Sequence, residues 1–194
     1  YAPGTDVSIP IGGKTLYAVW VPDEYEIYYN ANGGTGGPDL SSTEGFDLAT
    51  FNEPYSIRAK GDIARTGYNF EHWTINADGT GSEYDASQDS TGELNVFTPT
   101  QNTTFYAQWS KVNYSLTFDN PFGSNAVGTE TRTIGQNLNM PTAGTRDGYT
   151  FDSWTDGSVD YPAGSVYNVQ AANKVFTAQW TPDVYTISYD LNDG

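Results

Sequence analysis

The chain has 194 residues, with 8 Lys and Arg against 24 Asp and Glu, a formal net charge of −16. That balance leaves no cationic surface to displace phosphate counterions or to meet anionic lipid, which excludes nucleic-acid and anionic-membrane partners. It has no Cys and a single His, so nucleophile–base pairs have little to draw on and no enzyme is expected.

The chain opens at Tyr1 and not at Met, which reads as a fragment or a processed product. No signal peptide is expected within these residues, and no segment approaches a membrane-spanning apolar length. Residues 1–20 overlay residues 161–180 without a gap, Tyr1 on Tyr161 and Trp20 on Trp180. They read as the C-terminal part of a repeat.

A complete repeat with two insertions is expected over 25–109. Relative to the repeat that follows, it has 8 extra residues between its opening Tyr and its Gly-Tyr and 10 extra between its two Trp. It opens with alternating Tyr25, Ile27 and Tyr29, a half-buried strand, followed by an Asn32-Gly33-Gly34 turn. A short helix or helical turn is placed near residues 57–64. Next comes Gly67-Tyr68-Asn69-Phe70-Glu71-His72-Trp73, in which Tyr68 and Phe70 share a strand face while Trp73 falls out of phase by one residue. A bulge that re-aims the ring is the favoured reading. A polar, Gly-rich insertion around residues 76–85 reads as an extended surface loop. The repeat closes with Phe105-Tyr106-Ala107-Gln108-Trp109, placing Phe105, Ala107 and Trp109 on one face.

The linker Ser110-Lys111-Val112-Asn113 leads into a second complete repeat, 114–180. Tyr114, Leu116 and Phe118 open it, Gly148-Tyr149-Thr150-Phe151-Asp152-Ser153-Trp154 repeats the middle motif, and Phe176-Thr177-Ala178-Gln179-Trp180 closes it. Residues 185–194 overlay 25–34 and read as the N-terminal strand of a further repeat. All three linkers, beginning at Val21, Ser110 and Thr181, have four residues, which implies a defined angle between units. The residues expected to carry the cores are Trp20, Tyr68, Phe70, Trp73, Trp109, Tyr149, Phe151, Trp154 and Trp180.

These motifs, in this order, resemble the Listeria–Bacteroides repeat family, the internalin B-type B-repeat. The family pattern is an opening Tyr-x-Val-x-Phe strand with Asn-Gly-Gly, then Gly-Tyr-x-Phe-x-Gly-Trp, then Leu-Tyr-Ala-x-Trp. The chain departs from it at His72 and Ser153, where the family has Gly, and at Asn120-Pro121-Phe122-Gly123, which replaces Asn-Gly-Gly. The resemblance implies an α+β, strand-dominated fold of tandem β-grasp-like modules arranged end to end. It also implies display on an extracellular surface protein or surface filament of a prokaryote. There the repeats act as a spacer, stalk or fibre-forming segment, or alternatively as a glycan- or protein-binding adhesive module.

The chemical candidates are sparse. His72 aligns with Ser153 and reads as a polar residue beside a core Trp. Asp78, Glu83, Asp85 and Asp89 could together supply oxygens to Ca²⁺, but their spacing is not that of an EF-hand, and a solvated acidic loop is the plainer reading. The Gly33-Gly34-Thr35-Gly36-Gly37 run lacks the Lys and helix of a phosphate loop and reads as a hairpin turn. Tyr28 and Tyr106 could stack on sugars, and Asn102 and Asn113 begin glycosylation sequons. No cofactor is expected. The expected partners are neighbouring repeats of the same or another copy, with a surface glycan or protein as a further candidate. One expectation is a window from a longer array; another is head-to-tail pairing of residues 185–191 with residues 15–20 of the next copy.

Overall fold

The computed structural model describes residues 6, 8, 11–13, 15, 17–40, 43–84, 96–125, 127–190 and 192. Two five-stranded sheets follow one another along the chain, each with a small two-stranded companion. The strands of the first unit are β1 (Glu24–Asn30), β2 (Asp47–Thr50), β3 (Tyr55–Ser56), β4 (Tyr68–Thr74), β5 (Glu83–Tyr84), β6 (Val96–Phe97) and β7 (Thr103–Lys111). Those of the second are β8 (Asn113–Asp119), β9 (Gly128–Thr133), β10 (Asn137–Asn139), β11 (Tyr149–Thr155), β12 (Asp160–Tyr161), β13 (Val166–Asn168) and β14 (Lys174–Pro182).

The sheet orders are β2-β1-β7-β4-β5 and β9-β8-β14-β11-β12, the same arrangement twice. In each, the opening and closing strands lie parallel at the centre, with Tyr29 opposite Phe105 and Phe118 opposite Phe176. This is where the alternating apolar residues are needed, because a central strand buries one whole face. Ile27, Leu116, Phe105 and Phe176 are fully buried there. Each core closes within its own unit, one formed around Trp73 and Phe105, the other around Trp154 and Phe176.

The bulge is present in both middle strands. Phe70 pairs with Trp109 and Trp73 with Ala107, three residues against two, and Phe151 and Trp154 repeat this against Trp180 and Ala178. The extra residue turns the Trp ring back onto the face that Phe already occupies. Trp73 and Trp154 are completely buried as a result. The rings then meet edge to face: Phe70–Trp73 at 5.0 Å and Phe70–Trp109 at 5.9 Å, Phe151–Trp154 at 5.5 Å and Phe151–Trp180 at 5.4 Å.

Three expectations are corrected. No helix occurs among the described residues, so the fold they show is strand-dominated without the expected α component, and the β-grasp-like classification is not confirmed. Residues 57–64 form a loop. Gly61 takes a positive φ of 61°, Arg58 O accepts from Trp73 Nε1 at 3.2 Å, and Ala64 pairs with Thr35, so the groups a helix would use are engaged elsewhere. The insertion is not one extended loop. Trp73 pairs with Tyr84 eleven residues on, while Trp154 pairs with Tyr161 seven on, so four of the extra residues lengthen a hairpin turn and the rest fall between Tyr84 and Phe105. Within that turn Asn76 donates to Thr80 O at 3.0 Å and Asp78 accepts from Thr80 N at 3.0 Å. Trp20, the third expected core ring, is 88 % exposed, because no Gly-Tyr strand stands beside it.

The two cores solve one packing problem differently. In the first unit Asp47 is 1 % exposed and accepts from Tyr55 OH and Arg58 Nε, each at 2.6 Å, while Tyr29 OH lies 3.1 Å from Tyr55 OH. Burial and the carboxylate beside it push the Tyr55 hydroxyl up, so it remains a donor at any ordinary pH. At the matching positions the second unit places Phe118, Leu138, Glu130 and Pro141, with the apolar rings and chains packed directly. Removing the carboxylate by Asp47→Ala takes away the acceptor of both the Tyr55 hydroxyl and Arg58 Nε, and should cost about 2–3 kcal/mol. Urea unfolding is the check, and Glu130→Ala should change the second unit by no more than ~0.5 kcal/mol.

Candidate functional site

The most built feature of the surface is the place where one unit meets the next. Strand β7 runs out beside the start of β4, with Tyr68 opposite Lys111, and only Val112 separates it from β8. Val112 N donates to Gly67 O at 3.0 Å, fixing the third linker residue to the Gly-Tyr corner. At the end of β14 the equivalent Asp183 N donates to Gly148 O at 2.9 Å. The turn between β9 and β10 leans onto the first of these corners. A β-carbon on Gly67 would stand 2.8 Å from Ile134 Cγ2, so glycine is required there both by its φ of 80° and by this close approach.

Each corner carries an arginine that the sequence reading did not single out. Arg65 lies over the Tyr68 ring at 4.0 Å and Arg146 over the Tyr149 ring at 3.6 Å. The signal was available as Arg-x-Gly-Tyr in both repeats. Asn102, read from the sequence only as a sequon, and Asn173, not singled out at all, act as clamps: their side-chain oxygens accept from Glu26 N at 3.0 Å and Ser115 N at 2.9 Å, holding each opening strand. The Asn102 sequon thus has its amide engaged, with Nδ2 3.3 Å from Glu26 Oε2.

The two closing tryptophans differ. Trp109 Nε1 donates to Ala31 O at 3.0 Å, within the Asn-Gly-Gly turn, and its ring comes so near that a β-carbon on Gly34 would lie 2.6 Å from Cζ2. Trp180 packs edge to face with Phe151 at 5.4 Å, and its buried Nε1 has no partner among the described residues. The second unit thus leaves a buried donor unsatisfied where the first satisfies it. Trp154 keeps its bond, donating to Pro141 O at 2.7 Å.

Of the four candidate ion ligands, Asp78 and Glu83 lie among the described residues. Asp78 is satisfied by Thr80, whose Oγ1 donates to it at 2.7 Å, and these bonds hold its carboxyl below the usual range. Glu83 sits on β5 with its Oε1 3.9 Å from His72 Nε2, while Asp85 and Asp89 lie outside the described residues. Among the described residues no group of three or more His, Cys, Asp or Glu comes together as a metal site. Tyr28 is not an open platform: its ring packs 5.5 Å from Phe46 and its hydroxyl donates to Glu26 at 2.6 Å. Tyr106 is half-buried and lines a shallow groove with Ile75, Asn76, Gln101, Asn102 and Thr104. Gly33 and Gly34 bound a cleft with Arg65, but they belong to a turn and not to a helix N-terminus.

A family model described as the Listeria-Bacteroides repeat domain matches residues 25–108 and 114–179, most of the chain. A protein of Evansella cellulosilytica bearing the name Gly-rich membrane protein is 25 % identical over 187 residues, covering 93 % of this chain and 20 % of the relative. A second membrane protein by name, from the same organism, is 24 % identical over 185 residues, covering 93 % of this chain and 24 % of the relative. The chain thus spans a quarter or less of the relatives it matches. No solved structure matches it significantly. No helix of the described residues is long and apolar enough to cross a membrane.

Among the described residues the second unit holds two tight ion pairs, Arg132 to Glu130 and Lys174 Nζ to Asp156 Oδ2, each at 2.6 Å. Lys174, with the amides of Val159 and Ser158, lowers the Asp156 carboxyl from 3.8 to about 2. A depressed folded-state value means this contribution is complete above the ordinary carboxylate range and is lost as pH falls through about 2. Thermal melts of Asp156→Asn should therefore fall below the parent at neutral pH and converge with it near pH 2.

Proposed function

Because the chain belongs to the Listeria-Bacteroides repeat domain family over residues 25–108 and 114–179, we propose that it is a structural spacer or stalk segment of an extracellular, multi-repeat surface protein. The observation that carries this reading is the recurrence of one junction. The third linker residue donates to the carbonyl of the Gly-Tyr glycine after the first repeat and again after the second. A linker held by the same bond each time propagates the same rotation from unit to unit, which is how repeated modules build length. The net charge of −16 suits such a role, since like-charged units resist collapsing onto one another. The names of the relatives, both membrane proteins, and their greater length support placement at a cell surface. Small-angle scattering of the 194-residue chain should give an elongated particle. A pair-distance distribution typical of a compact globule would remove the stalk reading.

A second reading, an adhesive module, draws on the groove beside Tyr106, whose lining of amides, hydroxyls and the rings of Phe97 and Tyr106 has the chemistry that sugars meet in binding sites. On that reading a glycan array should give hits that Tyr106→Ala abolishes. An array without hits disposes of it.

A further inference from the structure

The joint at Gly67 has two halves, and each also occurs alone elsewhere in the chain. The hole is the Gly-Tyr corner; the knob is the large apolar residue that follows the second strand of the next repeat, here Ile134. In the first repeat the residue at the knob position is Phe51. The correspondence rests on hydrogen bonds as well as sequence. Asn52 and Gly135, the next residues, have φ of 57° and 78°. Asn52 N donates to Pro99 O at 3.0 Å where Gly135 N donates to Val169 O at 2.9 Å. Glu53 N reaches Thr50 O and Gln136 N reaches Thr133 O, both at 3.2 Å. Ile134 is half-buried against its corner, whereas Phe51 is 46 % exposed, with only the edge of Tyr25 at 6.3 Å among its ring contacts.

At the other end the hole stands open. Gly67 is buried, but a β-carbon on Gly148 would find nothing nearer than Tyr185 Oη at 4.0 Å. Its carbonyl already holds the linker through Asp183, so the linker half of the joint is made and the knob half is not. The first repeat has the complementary state: Phe51 N is bonded to Asp23 O at 2.7 Å, linker and knob in place with no corner beneath them.

We propose that Phe51 is a preformed knob for the Gly-Tyr corner of another family repeat, joined in the same polypeptide through residues 21–24. The Gly148 corner takes the same kind of knob from a repeat joined through residues 181–184. The occupant is a covalently linked repeat and not a second copy of the chain. In the Gly67 joint one linker passes between corner and knob, and its third residue bonds the corner glycine. Two separate copies would bring two linkers, one held by Gly148 O and one by Phe51 N, into the space that one fills. The inference rests on the stalk reading for its context but fails separately from it, since an elongated chain could still have joints that do not use the knob.

The experiment replaces residues 1–20 with a further copy of residues 114–180, whose core closes on itself, so that Trp180 of the added repeat leads directly into Val21. Amide exchange at Asp23 is then read by NMR in the extended chain and in the 194-residue chain. Asp23 N should become protected at least tenfold on extension, because it now donates to the added repeat's corner glycine as Val112 N does to Gly67. Phe51→Ser should abolish that protection in the extended chain and leave the melting of the 194-residue chain unchanged. In the 194-residue chain itself, Ile134→Ser should speed exchange at Val112 to a similar degree. Equal Asp23 exchange in both chains, protection that survives Phe51→Ser, or an unchanged Val112 rate in Ile134→Ser would each overturn the assignment.

Discussion

The bulge in the middle strand of each repeat is the constraint on which the remainder of the structure depends. Without it, Phe70 and Trp73 would face opposite sides of the sheet, since a regular strand alternates at every residue. With it, both rings join Trp109 on the buried face, and Phe151, Trp154 and Trp180 do the same in the second unit. The Trp at the bulge also reaches past its own sheet to a carbonyl of the crossing segment, Arg58 O or Pro141 O. One irregularity thus packs the core and ties down the loop that covers it.

Given that frame, the two repeats differ freely in how they fill it. The first uses a buried carboxylate shared between Arg58 and Tyr55, the second a largely apolar set around Leu138 and Tyr167, whose buried hydroxyl has no partner among the described residues. A buried ion pair needs every member present, whereas an apolar set needs only volume, so the first core should be the less forgiving of substitution. The closing tryptophans show the same freedom: Trp109 donates to a carbonyl, while Trp180 Nε1 has no partner among the described residues. Neither difference touches the corner and linker, which keep their hydrogen bond in both repeats. What is held constant is the geometry between units, which is the property a spacer needs.

Much of this was legible in the residues. Alternation at Tyr25, Ile27 and Tyr29 marked a strand with one buried face, and the one-residue phase error at Trp73 and Trp154 marked the bulge. The helix expected near residues 57–64 is absent, and Ile57 and Ile63 are instead the two buried anchor points of a loop. Local pattern cannot separate helix from loop here, since the deciding groups, Trp73 Nε1 and Thr35, arrive from elsewhere in the chain. The arginines at the corners escaped notice for a related reason: their role is a ring beneath them, which spacing in sequence does not display.

By itself, then, the sequence determined the repeat, its register and the residues that face inward, because all three are periodic properties that each strand carries locally. Tertiary structure decided the absence of helix among the described residues, the side-by-side parallel placement of first and last strands, and the seat of Ile134 on Gly67. Those depend on contacts between residues far apart in the chain, where the fit of one surface to another selects among conformations that local propensity leaves nearly equal.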